Sequence, residues 1–215
     1  MLKEYHTLNE VEVGIDEAGR GCLLGPVFVG AVVLPQGGFV DPPFPIRDSK
    51  KMSAKKRNIL RTYIEEHALA YSVKSIDMQM IDSINILQAT MKGMHECLDS
   101  ITSQVTIDTI LVDGTYFPIY TNKTTFEAVS HMCVSGGDNM YQSIAAASIL
   151  AKVHRDEYIQ QLVHQHPVLK DYGIHTNNGY GTAVHMKCLH EKGVTQWHRR
   201  TFEPCKRLIA RGLII

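Results

Sequence analysis

The chain lacks the marks of several large functional classes. None of its apolar runs approaches the length of a membrane span. Its first ten residues have no apolar core of the kind a secretory signal needs, so a cytoplasmic location is expected. It has no internal repeat, no low-complexity tract and no long linker. Five cysteines (Cys22, Cys97, Cys133, Cys188 and Cys205) form no Cys-x-x-Cys pair. An odd number at wide spacing excludes a disulfide framework and a structural zinc site. No His-Glu-x-x-His occurs; His164-x-His166, His131-x-Cys133 and His185 with His190 lack further ligands and read as solvated or core side chains. The glycine-rich stretch 19–25 is not followed by Gly-Lys-Ser/Thr, which excludes a nucleotide P-loop, and no Gly-x-Ser-x-Gly hydrolase elbow appears. Net charge is also missing, with 22 basic against 22 acidic residues. A polyanionic partner therefore requires basic residues gathered on one face, with acids elsewhere or holding metal.

What remains is a chain of 215 residues, 44% hydrophobic and 20% charged, which suits one domain or one domain with a small appendage. Apolar residues alternate at Val11, Val13 and Ile15, giving a half-buried strand with Asp16 and Glu17 at its end and a Gly19-Arg20-Gly21 turn after it. Residues 27–34 read as a buried strand able to pair antiparallel with the first, and 36–45 as a Pro/Gly loop. Ser53 is placed to cap a helix running to about residue 67. A short strand over 68–75, one or two Met-rich helices over 78–100, a buried strand over 109–113 and another over 126–134 follow. Gly136-Gly137 then opens a long helix from 141 to about 166, ended by Pro167. Its Ala145-Ala-Ala-Ser148 stretch allows close approach to a sheet. Mixed strands and helices predict an α/β domain with a mixed sheet.

The acids share a context. Asp16 and Glu17 end one strand, Asp113 ends another, and Asp138 precedes a helix. Adjacent strands lie about 4.8 Å apart, so acids at neighbouring strand ends can meet around cations. Oxygen-only ligands suit Mg²⁺ or Mn²⁺. Two such ions about 4 Å apart are the usual apparatus of phosphodiester displacement. Asp156 would stand roughly 25 Å from Asp138 along a continuous helix, so one site cannot use both; Asp156 is expected to pair with Arg155, Lys152 or solvent.

In order, Gly14-Ile-Asp-Glu-Ala-Gly-Arg-Gly21, Leu24-Gly-Pro-Val27, Asp48-Ser-Lys-Lys51, Val112-Asp-Gly114, Ala146-Ala-Ser-Ile-Leu-Ala-Lys152, Gly179-Tyr180 and His198-Arg-Arg-Thr-Phe202 resemble bacterial ribonuclease HII over nearly the whole chain. The resemblance implies a ribonuclease H-like fold: a mixed five-stranded sheet flanked by helices, with residues from about 167 to 215 as a helical, substrate-binding C-terminal portion of a single catalytic domain. It implies endonucleolytic cleavage of the RNA strand of RNA–DNA hybrids and of single ribonucleotides in duplex DNA, as in ribonucleotide excision repair and replication. The products would carry 5′-phosphate and 3′-hydroxyl ends. Asp16, Glu17, Asp113 and Asp138 would be the catalytic acids and hold two divalent cations, Mg²⁺ or Mn²⁺, with Asp16 bridging. Gly19, Arg20 and Gly21 would sense the 2′-hydroxyl, and Tyr180 would pack on the sugar at the RNA–DNA junction. Lys50 and Lys152 would contact phosphates, with Arg199 and Arg200 as further candidates. The first acids arrive at Asp16, which leaves no room for the extra N-terminal domain of type III enzymes. A monomer without membrane association is expected.

Two positions depart from the family pattern. Gly136 stands where the family has a basic residue before Gly-Asp, and Cys22 replaces a proline after Gly-Arg-Gly. Two other readings fit parts of the pattern: a ribonuclease H-fold DNA nuclease indifferent to ribose, and a noncatalytic hybrid-binding protein.

Overall fold

The computed structural model describes residues 2–215. Two compact units emerge, and the chain passes between them more than once. The first comprises residues 2–18, Phe28–Lys74 and Met91–Val153; the second comprises Gly19–Val27, Ser75–Thr90 and His154–Ile215.

The first unit carries the sheet. Its strands are β1 (Glu12–Ala18), β2 (Val27–Val33), β3 (Ala70–Ile76), β4 (Thr109–Asp113), β5 (Tyr120–Thr121) and β6 (Ala128–Val134), in the order β3-β2-β1-β4-β6-β5. β1 pairs antiparallel with β2 and parallel with β4, and β4 pairs parallel with β6. The sheet is mixed, as expected, but has six strands rather than five. The extra one, β5, is a two-residue edge pairing antiparallel with β6, too short to leave a periodic signal. β1 also runs further than its alternation suggests, because pairing with β2 continues to Ala18↔Phe28. The acidic pair therefore lies inside the strand, beyond the last β1–β4 pair, Ile15↔Val112.

Helix α1 (Ala54–His67) starts where the sequence places it, with the Ser53 hydroxyl accepting the Lys56 amide at 3.4 Å. Helix α2 (Met78–Thr102) is interrupted at Asn85, whose φ of 67° breaks the helical path and whose side chain accepts the Gln88 amide at 3.1 Å. Helix α3 (Gln142–Gln165) buries Ala145, Ala146, Ala147, Ile149 and Leu150 with Val32, Leu60 and Ile64 of the first unit. It lies close to β2: a Cβ on Gly30 would sit 2.4 Å from the Ala147 carbonyl oxygen. Small residues on both surfaces permit that approach.

The second unit has its own core, in which Leu23, Leu24, Ile159, Leu162, Leu169, Tyr172 and Leu189 pack together. Its helices include α4 (Ile174–Asn177), α5 (Ala183–Lys192) and α6 (Cys205–Ile209). Among the described residues, no helix is long and apolar enough to cross a membrane.

Candidate active site

Parallel register sets up the acidic cluster. Ile15 faces Val112, so the next residues, Asp16 and Asp113, continue side by side. The β2 partner of Asp16 is Gly30, which has no side chain to keep α3 away. Ser148 on α3 thereby hydrogen-bonds the Asp16 carboxylate, and its hydroxyl also meets Ser49 Oγ at 3.0 Å. Asp16 Oδ1 accepts the Glu17 amide at 2.7 Å. The Asp113 Oδ1 accepts the Gly137 amide at 2.8 Å, tying the end of β4 to the 3₁₀ turn Gly137–Asn139 that carries Asp138.

The four acids predicted from sequence thus form one electrostatic neighbourhood in the first unit. Asp16, 4% exposed, has its carboxyl pushed well above the usual range, first by burial, then by Glu17 and Asp113. Asp138 is raised by burial, then by Asp48 and Asp113. Buried like charges favour the protonated form unless a cation neutralises them. The donor chemistry is all carboxylate, which fits a hard divalent ion. Among the described residues, no three His, Cys, Asp or Glu side chains stand close enough together to hold a metal ion.

Asp48 is an acid that sequence reasoning passed over as part of a helix approach. Its only local signal is the capping pattern Asp48-Ser-Lys50, in which its carboxylate accepts the Lys50 amide at 2.9 Å. Lys50 is exposed and close enough to lower the Asp138 carboxyl, partly replacing the positive charge absent at Gly136. Lys51 Nζ donates to Asn139 Oδ1 at 2.6 Å. Lys152 lies half-buried on α3 in the first unit.

Gly19, Arg20, Gly21 and Tyr180 belong to the second unit. Gly19 has φ +87°, and a Cβ there would fall 1.9 Å from Arg155 Nε, so no other residue fits. Two fully buried arginines organise this region. Arg199 donates to the carbonyls of Gly25 at 2.9 Å, Arg20 at 2.7 Å and Gly19 at 2.7 Å. Arg155 donates to Pro26 at 3.1 Å, Asn178 at 2.8 Å and Leu24 at 3.1 Å. One sequence expectation is corrected here: Arg199 is 0% exposed and cannot be a phosphate contact. Arg155 is equally buried and directs these hydrogen bonds to main-chain carbonyls. Burial lowers the Arg199 guanidinium to about 10, still charged at neutral pH. Arg200 is exposed, and its amide donates to Asp82 at 2.9 Å. Cys22 is buried with its thiol 3.7 Å from the Asn178 carbonyl, consistent with a packing role.

Tyr180 is 42% exposed, and burial of the remainder followed by the Cys22 thiol pushes its phenol up. Arg155 anchors the Asn178 carbonyl just before it.

This architecture defines a class. The fold matches the ribonuclease H2 structure from Pyrococcus horikoshii OT3 with a TM-score of 0.71 at 22% identity, covering 93% of this chain and 97% of that one. It also matches Bst-RNase HIII in complex with Mn²⁺ with a TM-score of 0.67 at 16% identity, covering 94% and 70%. The protein therefore has the α/β fold of the type 2 ribonucleases H. Sequence narrows the class: residues 13–205 match the family model for Ribonuclease HII. Ribonuclease HII of Cytophaga hutchinsonii is 41% identical over 204 residues, 94% of this chain and 93% of the relative. That of Burkholderia pseudomallei is 42% identical over 206 residues, 94% and 88%. The chain belongs to the ribonuclease HII family and is a ribonuclease H, an endonuclease that hydrolyses phosphodiester bonds.

Proposed function

We propose that this enzyme cuts the RNA strand of RNA–DNA hybrids and single ribonucleotides embedded in duplex DNA, leaving 5′-phosphate and 3′-hydroxyl ends. One observation carries the reading: Asp16 and Asp113 are neighbours just beyond the last pair of the parallel strands β1 and β4, and burial and mutual repulsion raise the Asp16 carboxyl. That arrangement wants positive charge. Asp16, Glu17, Asp113 and Asp138 would hold two divalent cations, Mg²⁺ or Mn²⁺, and the Mn²⁺ in the Bst-RNase HIII structure supports the choice. When bound, such ions supply charge stabilisation at the reacting phosphate and a more acidic water.

The remaining roles fall to the chain. Ser148 and the Glu17 amide orient the Asp16 carboxylate, and the Gly137 amide orients Asp113. Gly19, Arg20 and Gly21 present backbone groups to the 2′-hydroxyl, the atom that separates RNA from DNA. Tyr180 offers its exposed face to the sugar. Lys50 and Lys152 attract phosphates, a positioning contact without sequence information. Residues from about 167 to 215 serve substrate binding within one catalytic domain. The enzyme works as a cytoplasmic monomer in ribonucleotide removal and replication.

The test is cleavage of a labelled DNA duplex containing one ribonucleotide, with Mg²⁺, Mn²⁺ or EDTA, beside an all-DNA duplex and a continuous hybrid. The expected result is a metal-dependent cut on the 5′ side of the ribonucleotide with the all-DNA duplex intact. Cleavage of all-DNA overturns the ribose reading. Equal activity in EDTA overturns the metal reading.

A further inference from the structure

The second unit contains two buried histidines with no part in the acidic cluster. His185 on α5 is 0% exposed and His198 is 1% exposed. Their Nε2 atoms face each other at 2.9 Å. The hydrogen bonds around them fix both tautomers. His198 Nδ1 accepts the Thr195 backbone amide at 3.0 Å, so that nitrogen carries no proton. The Thr195 hydroxyl adds to the same nitrogen at 2.7 Å. The proton of a neutral His198 therefore sits on Nε2. Only one proton fits between two Nε2 atoms at hydrogen-bond distance, so His185 Nε2 accepts it. The His185 proton then lies on Nδ1, which is 2.9 Å from the Tyr180 carbonyl oxygen. Both ends of the chain are backbone groups of fixed polarity, which gives it one direction. Burial lowers both imidazoles, His198 to about 3, in keeping with two neutral rings.

The end of this chain is informative. The Tyr180 carbonyl also accepts the Thr182 amide at 2.8 Å, so both of its lone pairs are used. Thr182 caps α5 by accepting the His185 amide at 3.5 Å. Tyr180 is thus bracketed: Arg155 holds the Asn178 carbonyl before it, and His185 holds its own.

We propose that His185 is a positioning residue for Tyr180, with His198 and Thr195 setting the proton that lets His185 grip the Tyr180 carbonyl. This rests on the reading of Tyr180 as a substrate contact. His185 touches no substrate; it fixes the peptide plane from which the tyrosine side chain projects.

The first measurement needs no variant. Long-range ¹H–¹⁵N correlation of the imidazole nitrogens at neutral pH should show His198 protonated on Nε2 and His185 on Nδ1. The same tautomer in both rings, or an imidazolium in either, overturns the proposal. The second measurement compares His185→Leu with His185→Asn, whose amide can replace the Nδ1–H donor, on a duplex with one ribonucleotide. Leu should lower kcat/KM about tenfold and Asn should restore most of it. In a Tyr180→Ala background the Leu substitution should change kcat/KM less than about twofold, because the two residues act as one unit. Equal, additive losses for Leu and Asn in both backgrounds indicate a structural role only and overturn the proposal. A Tyr180→Ala enzyme with unchanged activity overturns instead the substrate-contact reading and, with it, the purpose assigned to His185; the tautomer measurement tells the two failures apart.

Discussion

At the scale of single residues, the acidic cluster sets function against stability. Asp16 is a buried carboxyl raised by burial and by two acidic neighbours, so its charge costs folding energy. Asp16→Asn keeps the shape and removes that charge. Cleavage should fall at least about a thousandfold, while the melting temperature in EDTA rises by several degrees. A melting temperature below that of the wild type would mean that the Ser148 and Glu17 contacts outweigh the repulsion. The buried arginines pose the opposite case. Arg199→Lys retains the charge but cannot span the carbonyls of Gly19, Arg20 and Gly25. Urea titration should show a loss of about 2–4 kcal/mol. Residue identity alone did not reveal this role. An arginine in a basic run looks like a phosphate ligand, and only three-dimensional packing turns it inward.

At the scale of elements, the site depends on how closely α3 meets the sheet. Gly30→Val would drive a side chain into the Ala147 carbonyl and push α3 away from β2. Overpacking of this kind should cost about 3 kcal/mol, and it should also reduce cleavage because Ser148 would leave Asp16. Urea titration and the ribonucleotide assay read the two effects separately. Much of this level was legible beforehand. Ser53 capped α1, the Ala145-Ala-Ala-Ser148 run promised close packing, and the β4 strand ended at Asp113 as read. These features follow from short-range rules. What escaped was long-range. The two-residue β5 exists only because β6 offers an edge. The reach of β1 through Asp16 and Glu17 is set by its β2 partner, and the approach of Asp48 to Asp138 by a turn with no periodicity.

At the scale of the whole molecule, buried titratable groups pull stability in opposite directions as pH falls. His198 is lowered to about 3, so the unfolded chain binds its proton first. Its contribution is complete above about pH 6.5 and is lost as pH falls towards 3, by about 3–5 kcal/mol in total. Asp16 is raised, so the folded chain binds that proton first and gains stability as pH falls. Urea titration in EDTA should therefore show stability falling more steeply between pH 6.5 and 4 in Asp16→Asn than in the wild type, because the opposing gain is gone. Divalent cations should raise the wild-type melting temperature near neutral pH, with about 2.7 kcal/mol gained at a hundredfold excess over Kd, and much less in Asp16→Asn. The two buried arginines carry a different consequence. All six of their hydrogen-bond acceptors, at Gly19, Arg20, Leu24, Gly25, Pro26 and Asn178, are main-chain oxygens. Such a scaffold recognises the path of the polypeptide and is blind to the lettering on it. Where no steric rule intervenes, side chains along these loops can drift across a lineage, retuning what the surface meets, while the two guanidiniums hold the path constant.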